Sequence, residues 1–443
     1  MRKHSLGMPV MLIGLAAGSL LLAGCPTSSV DRQEAPRDRP PIVEEGPDTP
    51  EPEAPAREAT AAAEDVEAAK TLLDGLADSA TYTLLPGGVM TEIVVRDGST
   101  LSAENIALFG RLADLEKLHI LNYRSLNDEL AAQLAGLKNL RSLALTNSVI
   151  GDATAEMIAE SLPALTELDL SSNTMLTNAA LRTICGISGL ERLTLVQTGF
   201  NDLGASHLSK LTNLRALDLR GNMEVGDMTM SVVGALPKLT AFKHRSTTVT
   251  DLGLGNLAQS QTLEALLMHD FAITGQSGQH LAGLPKLTQL EVFRCQGFGS
   301  DGVLALKGMK LSRLTLRDLP MVDDSAMEVF TELPELRRLY LHELSSVGDT
   351  GLANLGALES LELLDVWAVP EMTDATVEVI AGLPNLRELS LRETGVTDEA
   401  IDRLLAMPNL RALTLKDNAG ITAAGLEKLA GKQWSKLDVD SAP

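Results

Sequence analysis

Nine basic, histidine and aromatic side chains recur at intervals of 24 or 25 residues between residues 220 and 416. The repeat position that they occupy holds no acidic residue in any of these nine repeats, although the chain carries a formal net charge of -22. Arginine and large aromatic side chains dominate the hot spots of binding interfaces, so this series predicts recognition rather than catalysis. We call these residues the column, and its members are Arg220, Arg245, His269, Phe293, Arg317, His342, Trp367, Arg392 and Lys416.

Further basic and aromatic residues accompany the column a few positions earlier in the same repeats. Tyr340 and Lys243 precede their column residues by two positions, and Arg313 and Arg338 precede theirs by four. In a chain with only 3% aromatic residues, Phe293, Tyr340 and Trp367 fall close together. We therefore include Arg313, Arg338 and Tyr340 in the candidate ligand-binding set.

Residue patterns that support catalysis or metal binding are not evident. The seven histidines show no metal-ligand spacing, and His244 falls at an inward position, where a core histidine is the expected reading. The segment "DLGLGN" at residues 251–256 lacks the third glycine of a dinucleotide loop. No Ser/His/Asp arrangement or paired-carboxylate site interrupts the sequence, so we expect no catalytic residues, no metal, no cofactor and no enzyme activity.

The elements that carry these residues are set by an internal repeat. The pattern L-x-x-L-x-L returns every 24 or 25 residues, giving fifteen phased units with no long gap. In "LRELSL", Leu389 and Leu391 alternate with outward residues, which predicts a short strand. The following "TGVTDEAIDRLLAMPNL" predicts a helix that begins near Asp398 and ends before Pro408. The units start at Met90, Leu115, Leu140, Leu165, Leu190, Leu214, Leu239, Leu263, Leu287, Leu311, Leu336, Leu361, Leu386, Leu410 and Trp434.

One strand and one helix cannot bury the leucines alone, so the units must stack into a solenoid. This pattern resembles the leucine-rich repeat, and the "TD" and "LPxL" letters are similar to the longer, helix-bearing cysteine-containing and ribonuclease-inhibitor-like classes. The resemblance implies an α/β horseshoe over residues 89–443, with a concave parallel sheet and convex helices. The ninth position is Asn at 173, 222 and 418, Cys at 295, and Thr or Ser at 148, 198, 247 and 394, so we expect no continuous side-chain ladder there.

The remaining cysteines give little chemistry. Cys185 falls in a predicted helix and Cys295 in a loop, and the two lie five repeats apart. At about 4.8 Å per strand they are separated by roughly 25 Å, too far for a disulfide. We expect both to be buried free thiols.

The solenoid places the column on the concave face, where repeat arrays usually bind their ligands. Two interpretations stay open. Acidic residues follow several column members, so the column could be a self-neutralising ladder that stiffens the sheet, or it could face a partner. The two interpretations are compatible. The acidic residues are Asp270, Asp318, Glu343, Glu393 and Asp417.

The N-terminus predicts export. Arg2 and Lys3 precede an apolar run from residue 6 to 23, and "LAGC" ends at Cys25. This arrangement resembles a bacterial lipoprotein, which implies a signal peptide over residues 1–24 and a lipid on Cys25. Residue 26 is Pro rather than Asp, which in enterobacterial lipoproteins implies sorting to the outer membrane. An uncleaved membrane helix is the alternative interpretation.

A polar, proline-rich stretch follows the predicted lipid site. Residues 25–59 are rich in Pro, Glu and Asp and are expected to form a disordered tether. Residues 60–88 are expected to form a capping helix and a hairpin with its turn at Pro86, Gly87 and Gly88.

Three functions are compatible with these features. The first is a lipid-anchored envelope or cell-surface scaffold whose concave face binds a protein or an acidic polymer. The second is a passive structural protein of the envelope. The third is a ubiquitin-ligase-type effector or substrate adaptor, which would need an F-box or a catalytic-cysteine domain that the sequence does not display. The acidic net charge argues against general nucleic-acid binding.

Overall fold

The structure is a computed structural model that describes residues 59–440. Cys25, the predicted signal peptide and nearly all of the predicted tether lie outside the described residues. In residues 59–440, no helix is long and apolar enough to cross a membrane.

Within residues 59–440, sixteen strands form one sheet, and their order in the sheet is their order in the sequence. The first two strands pair antiparallel, and every later neighbour pairs parallel, as the repeat predicts. The strands are β1 Ala80–Leu85, β2 Val89–Val95, β3 Lys117–Leu121, β4 Ser142–Thr146, β5 Glu167–Asp169, β6 Arg192–Thr194, β7 Ala216–Asp218, β8 Ala241–Arg245, β9 Ala265–His269, β10 Gln289–Phe293, β11 Arg313–Arg317, β12 Arg338–His342, β13 Leu363–Val369, β14 Glu388–Thr394, β15 Ala412–Lys416 and β16 Lys436–Val439.

Helical segments follow the strands on the other side of the solenoid. The α-helices are α1 Ala63–Gly75, α2 Ala103–Gly110, α3 Asp128–Ala131, α4 Asp152–Ser161, α5 Asn178–Ile184, α6 Asp202–Ala205, α7 Asp227–Gly234, α8 Asp251–Leu257, α9 Ser277–Ala282, α10 Ser300–Leu304, α11 Asp349–Leu352, α12 Asp374–Ile380, α13 Ile401–Ala406 and α14 Ala423–Leu429. The 3-10 helices are Ala77–Ser79, Gly98–Thr100, Ala132–Gly136, Ser206–Lys210, Asp324–Glu332, Ala353–Ala357 and Asp398–Ala400.

The N-terminal end of the array is covered by α1. Val66, Ala69 and Leu73 lie on one face of this helix and are buried in the common core. The Asp114 carboxylate accepts hydrogen bonds from the backbone N–H groups of Thr60 and Ala61, at 2.7 and 2.9 Å. These contacts fasten the start of the described chain to the first repeats.

The core is a continuous stack of the repeated apolar positions. Leu386, Leu389, Leu391 and Val396 of one unit are all at most 2% exposed, while Glu388 between them is exposed. Adjacent strands pair these positions in register, as Leu389 does with Leu413. The leucine letters therefore specify the solenoid and nothing more.

Two kinds of polar core residue agree with expectation. Cys185 and Cys295 are free and buried, and burial raises the pKa of each thiol to about 12. The His244 ring is buried, with Nδ1 3.0 Å from the Leu219 carbonyl oxygen and Nε2 2.9 Å from the Val225 carbonyl oxygen. Burial lowers the pKa of His244 more than these carbonyls raise it.

Asparagine side chains join repeats in pairs rather than in a continuous ladder. Asn222 donates to the carbonyls of Leu195 and Leu219, at 2.6 and 3.0 Å, and accepts from the N–H and hydroxyl of Thr198. Asn173 with Ser148 and Asn418 with Thr394 repeat the arrangement. The β8 repeat differs from the sequence prediction, which assigned its ninth position to Thr247. The buried residue is Ser246 instead, because this repeat lacks the left-handed turn residue that the neighbouring repeats have.

A separate row of aspartates links the helix starts. The Asp349 carboxylate accepts from the N–H and hydroxyl of Thr373 in the next repeat, at 2.9 and 2.5 Å, and from the Thr376 hydroxyl at 2.5 Å. Thr373 in turn caps its own helix by accepting from the Ala375 N–H. The "TD" letters thus act between repeats as well as within them. The same bond joins Asp152 to Thr177, Asp227 to Thr250, Asp251 to Thr274, Asp374 to Thr397 and Asp398 to Thr422.

Candidate recognition surface on the concave face

The column occupies the last outward position of consecutive strands. From Arg245 on β8 to Lys416 on β15, each column residue is the register partner of the next. Arg220 follows the shorter β7 by two residues. Arg313 pairs in register with Arg338, and Tyr340 pairs with Asp365. The structure therefore brings together the residues that the sequence selected.

Five side chains form an alternating arrangement of guanidinium groups and aromatic rings across β10 to β14. The Arg294 guanidinium carbon lies 4.5 Å from the centre of the Phe293 ring, and that of Arg317 lies 4.5 Å from the same centre. Arg317 is also 5.0 Å from the Trp367 ring centre, and Arg392 is 5.4 Å from it. We call Arg294, Phe293, Arg317, Trp367 and Arg392 the stack. Each of its cation-π contacts contributes about 0.5–1 kcal/mol when exposed.

Carboxylates from the neighbouring turns pair with the central arginines. The Arg245 Nε lies 2.5 Å from the Asp270 Oδ2, and the Arg294 Nε lies 3.2 Å from the Asp270 Oδ1. The Arg317 Nε donates to the Glu343 Oε2 at 3.0 Å. These pairs are what the ladder interpretation requires.

The acidic turn residues are held in an unusual backbone conformation. Asp270, Asp318, Glu343, Glu393 and Asp417 all have positive φ, between 50° and 59°. Aspartate tolerates this left-handed region, but glutamate has no particular preference for it. The turn itself imposes this conformation, since Arg294 and Ala368 at the same position have φ of 55° and 52°. From it Glu343 accepts from the Arg317 Nε, and Glu393 accepts from the Trp367 Nε1 at 2.8 Å.

Each histidine of the column has a carboxylate beside it, which is hydrogen-bonded to His269 and more distant from His342. The His269 Nε2 lies 2.7 Å from the Glu291 Oε1, and the His342 Nε2 lies 3.4 Å from the Asp365 Oδ2. The Arg392 Nη2 donates to the same Asp365, at 3.2 Å. Burial alone would raise the pKa of Asp365, but His342 and Arg392 together hold that pKa below its ordinary value. Asp365 therefore anchors the stack from beneath as a carboxylate.

The ends of the column are also paired. The Arg220 Nη2 lies 2.8 Å from the Asp218 Oδ2, and the Lys416 Nζ lies 2.6 Å from the Asp438 Oδ1. Asp440 accepts from the Asp417 N–H at 2.9 Å.

The outward strand positions and the turn residue of β7 to β15 are balanced in charge. They hold nine basic and nine acidic side chains, on a protein whose formal net charge is -22. The bases are Arg220, Lys243, Arg245, Arg294, Arg313, Arg317, Arg338, Arg392 and Lys416, and the acids are Asp218, Asp270, Glu291, Asp318, Glu343, Asp365, Glu388, Glu393 and Asp417. The surface is therefore neutral overall but dense in charge and in aromatic rings.

Sequence reasoning missed part of this surface. Arg294 was overlooked because it occupies the turn position that is acidic in neighbouring repeats. The carboxylates of Glu291 and Asp365 were missed because only basic and aromatic side chains were considered two positions before the column, although residues two apart lie on the same face of a strand. That spacing is the signal that could have identified them. In residues 59–440, no group of three or more His, Cys, Asp or Glu side chains is placed to hold a metal ion.

The first of two solved structures shares this fold with the chain. The chain aligns with a chain of the yeast Rad7 and Elc1 complex at a TM-score of 0.50 and 21% identity, covering 86% of this chain and 89% of that one. It also aligns with an internalin (inlF) from Listeria monocytogenes at a TM-score of 0.45 and 20% identity, covering 80% and 95%.

The sequence comparisons point the same way. Tsukushi from Gallus gallus is 26% identical over 232 residues, which are 52% of this chain. The chain spans 62% of the length of that relative. A family model described as a leucine-rich repeat region matches residues 148–431, well over half of the chain. The protein accordingly belongs to the leucine-rich-repeat family.

Proposed function

We propose that this chain is a protein-binding scaffold that engages its partner with the concave face of β7 to β15. The observation that carries the proposal is the stack, in which Arg317 lies between the Phe293 and Trp367 rings. Rigid aromatic side chains and arginine are the groups that give protein interfaces most of their binding energy. Membership in a family of repeat scaffolds supports binding rather than catalysis.

The charge balance favours a protein partner over an acidic polymer. A polyanion binds by neutralising excess positive charge, and nine acids on this surface already neutralise its nine bases. A protein surface with its own mixture of charges and apolar groups fits better.

The passive structural interpretation remains the main competitor, because the ladder of pairs is complete enough to stiffen the sheet. The central arginines are nevertheless accessible: the side chains of Arg245 and Arg294 are each 43% exposed and that of Arg317 is 34% exposed. A purely internal ladder needs no such exposure.

Partner capture tests the proposal. A variant with Arg317→Glu, Arg338→Glu and Trp367→Ala should lose partners that the wild-type protein retains from an envelope extract. The matched control carries Arg182→Glu, Lys210→Glu and Leu203→Ala, which make the same charge change and remove an exposed apolar residue elsewhere. Equal capture by all three proteins would show that the concave face is not the binding surface.

We further propose that a lipid on Cys25 anchors the scaffold to a bacterial envelope, with the outer membrane as the expected site. The motif "LAGC" and the polar stretch after it support this placement. Replacement Cys25→Ser should abolish incorporation of labelled palmitate in a bacterial host. A reporter fused after residue 440 should be active outside the cytosol, whereas a ubiquitin-ligase-type adaptor would place it in a cytosol.

A further inference from the structure

Three central arginines use only one side of the guanidinium group inside the protein. Arg245, Arg294 and Arg317 each approach their carboxylates through Nε. Within residues 59–440, no side chain or carbonyl accepts a hydrogen bond from their Nη atoms. The outer edge of each group, formed by Nη1 and Nη2, is therefore unused.

The other two arginines of the column, Arg220 and Arg392, each donate from the Nη edge to a carboxylate. Arg220 donates to Asp218 through both Nε and Nη2, at 3.0 and 2.8 Å. Arg392 donates through Nη2 to Asp365. Among the arginines of the column and the stack, Arg245, Arg294 and Arg317 are therefore those with neither Nη group hydrogen-bonded within residues 59–440.

Arg317 is the most rigidly held of the three. Its guanidinium carbon has an aromatic ring on either side, Phe293 at 4.5 Å and Trp367 at 5.0 Å, and Glu343 holds its Nε. A planar guanidinium fixed in this way has already lost most of the freedom that binding would cost it. Its two Nη groups present parallel N–H donors, the geometry that matches the two oxygens of a carboxylate.

We propose that the partner inserts an aspartate or glutamate carboxylate against the Nη edge of Arg317. This inference rests on the proposed function and specifies the chemistry of the same surface. The partner is a polypeptide segment with a single acidic side chain flanked by apolar residues, since the Phe293 and Trp367 rings lie on both sides of the docked carboxylate.

A carboxylate fits this position better than a phosphate. Glu343 and Glu393 lie beside the stack, at 3.0 Å from Arg317 and 2.8 Å from Trp367. The second negative charge of a phosphate would be repelled by these two carboxylates. A carboxylate carries only one charge, and its two oxygens are satisfied by the one free edge.

The chain contains a built-in reporter for the test. It has two tryptophans, so Trp434→Phe leaves Trp367 as the sole tryptophan. The full chain with this change, in a neutral detergent, is titrated with the peptides acetyl-Leu-Glu-Leu-amide and acetyl-Leu-Gln-Leu-amide while Trp367 fluorescence is recorded. The Glu peptide should bind about tenfold more tightly than the Gln peptide, because only the carboxylate makes two charge-assisted hydrogen bonds.

Two variants and one control locate the effect. Arg317→Lys keeps the charge but removes the planar edge, and should reduce the preference for the Glu peptide about fivefold or more; Arg294→Lys should reduce it by less. Arg192→Lys should leave the preference unchanged, since Arg192 lies outside the column on β6 and pairs with Glu167 at 3.1 Å.

Three results would overturn the inference: equal binding of the two peptides, an unchanged preference in Arg317→Lys, or inorganic phosphate giving the same response as the Glu peptide. None of these results contradicts the proposed function, which fails separately if partner capture does not depend on the concave face. If the Glu peptide is clearly preferred but partner capture is unchanged in the concave-face variant, the carboxylate site is supported and the proposed protein-binding function is wrong.

Discussion

The Arg317 guanidinium lies 5.0 Å from the centre of the Trp367 ring, although β12 runs between their strands. It passes over His342, whose side chain is 13% exposed beneath it. Around this contact the concave face is layered, with His342 and Asp365, 13% and 19% exposed, beneath the Arg317 side chain, which is 34% exposed.

The contact between Arg317 and Trp367 should be measurable as a coupling energy. In a double-mutant cycle with Arg317→Ala and Trp367→Ala, denaturant unfolding should give a coupling of about 0.5–1 kcal/mol. A cycle that pairs Arg192→Ala with Trp367→Ala should give a value near zero, because six strands lie between β6 and β13. Equal coupling in the two cycles would contradict the layered arrangement.

Asp349→Ala should destabilise the array through the next repeat. The change leaves the Thr373 N–H and the buried Thr376 hydroxyl without their acceptor. An unsatisfied buried donor costs about 1–3 kcal/mol, so the free energy of unfolding should fall by about 2 kcal/mol or more. The matched control is Asp301→Ala, an exposed acid in the first turn of α10, which should change stability by less than about 0.5 kcal/mol. A similar decrease in the free energy of unfolding in both variants would show that the hydrogen bonds of the aspartate row do not stabilise the array.

Thr422→Val should raise the pKa of Asp398. The Thr422 hydroxyl donates to the Asp398 Oδ2 at 2.6 Å, and this hydrogen bond is the main reason that the pKa of Asp398 lies below its ordinary value. Valine has the same shape without the donor, so a carboxyl-carbon NMR titration should show the pKa of Asp398 moving upward. The pKa of Asp349, which is lowered by bonds from Thr373 and Thr376 in spite of the opposing effect of burial, should not move.

Acidification should weaken the fold partly through His119. Burial, helped by Lys117, lowers the pKa of His119 to about 4, whereas an unfolded histidine titrates near 6.5. The unfolded state therefore binds a proton that the folded state excludes, and the contribution of His119 to stability is present above about pH 6.5 and is lost as the pH falls toward 4. In His119→Gln, the drop in the free energy of unfolding between pH 7 and pH 4.5 should be smaller than in the wild-type protein. An identical drop in both would contradict this assignment.

The sheet and the column could be predicted from the sequence because both depend on strand register. Once Leu389 and Leu391 face inward, Arg392 must lie at an outward position beside Trp367 and Lys416. The contacts among those side chains could not be predicted in the same way. Whether Arg317 pairs with Glu343 or reaches across to Trp367 depends on side-chain rotamers, which the repeat does not constrain.

The hydrogen bonds between aspartates and threonines of neighbouring repeats could not be predicted from the sequence either. The letters "TD" are fully accounted for by a helix N-cap, so nothing in one unit indicates that Asp398 bonds Thr422 in the next. Arg294 was not predicted for a different reason: it is a basic residue at a turn position that is acidic in the neighbouring repeats.

Site-specific photo-crosslinking tests the central claim most directly. A photoreactive phenylalanine at Ser390, an outward position of β14 beside Asp365, is compared with one at Gln279 in α9 on the helical side. Ser390 should yield a crosslinked protein partner in the envelope extract, and the crosslink should disappear when Arg317→Glu and Trp367→Ala are added. Gln279 should yield no such adduct. The same adduct from both positions, or an adduct from Ser390 that survives the two substitutions, would contradict recognition by the concave face.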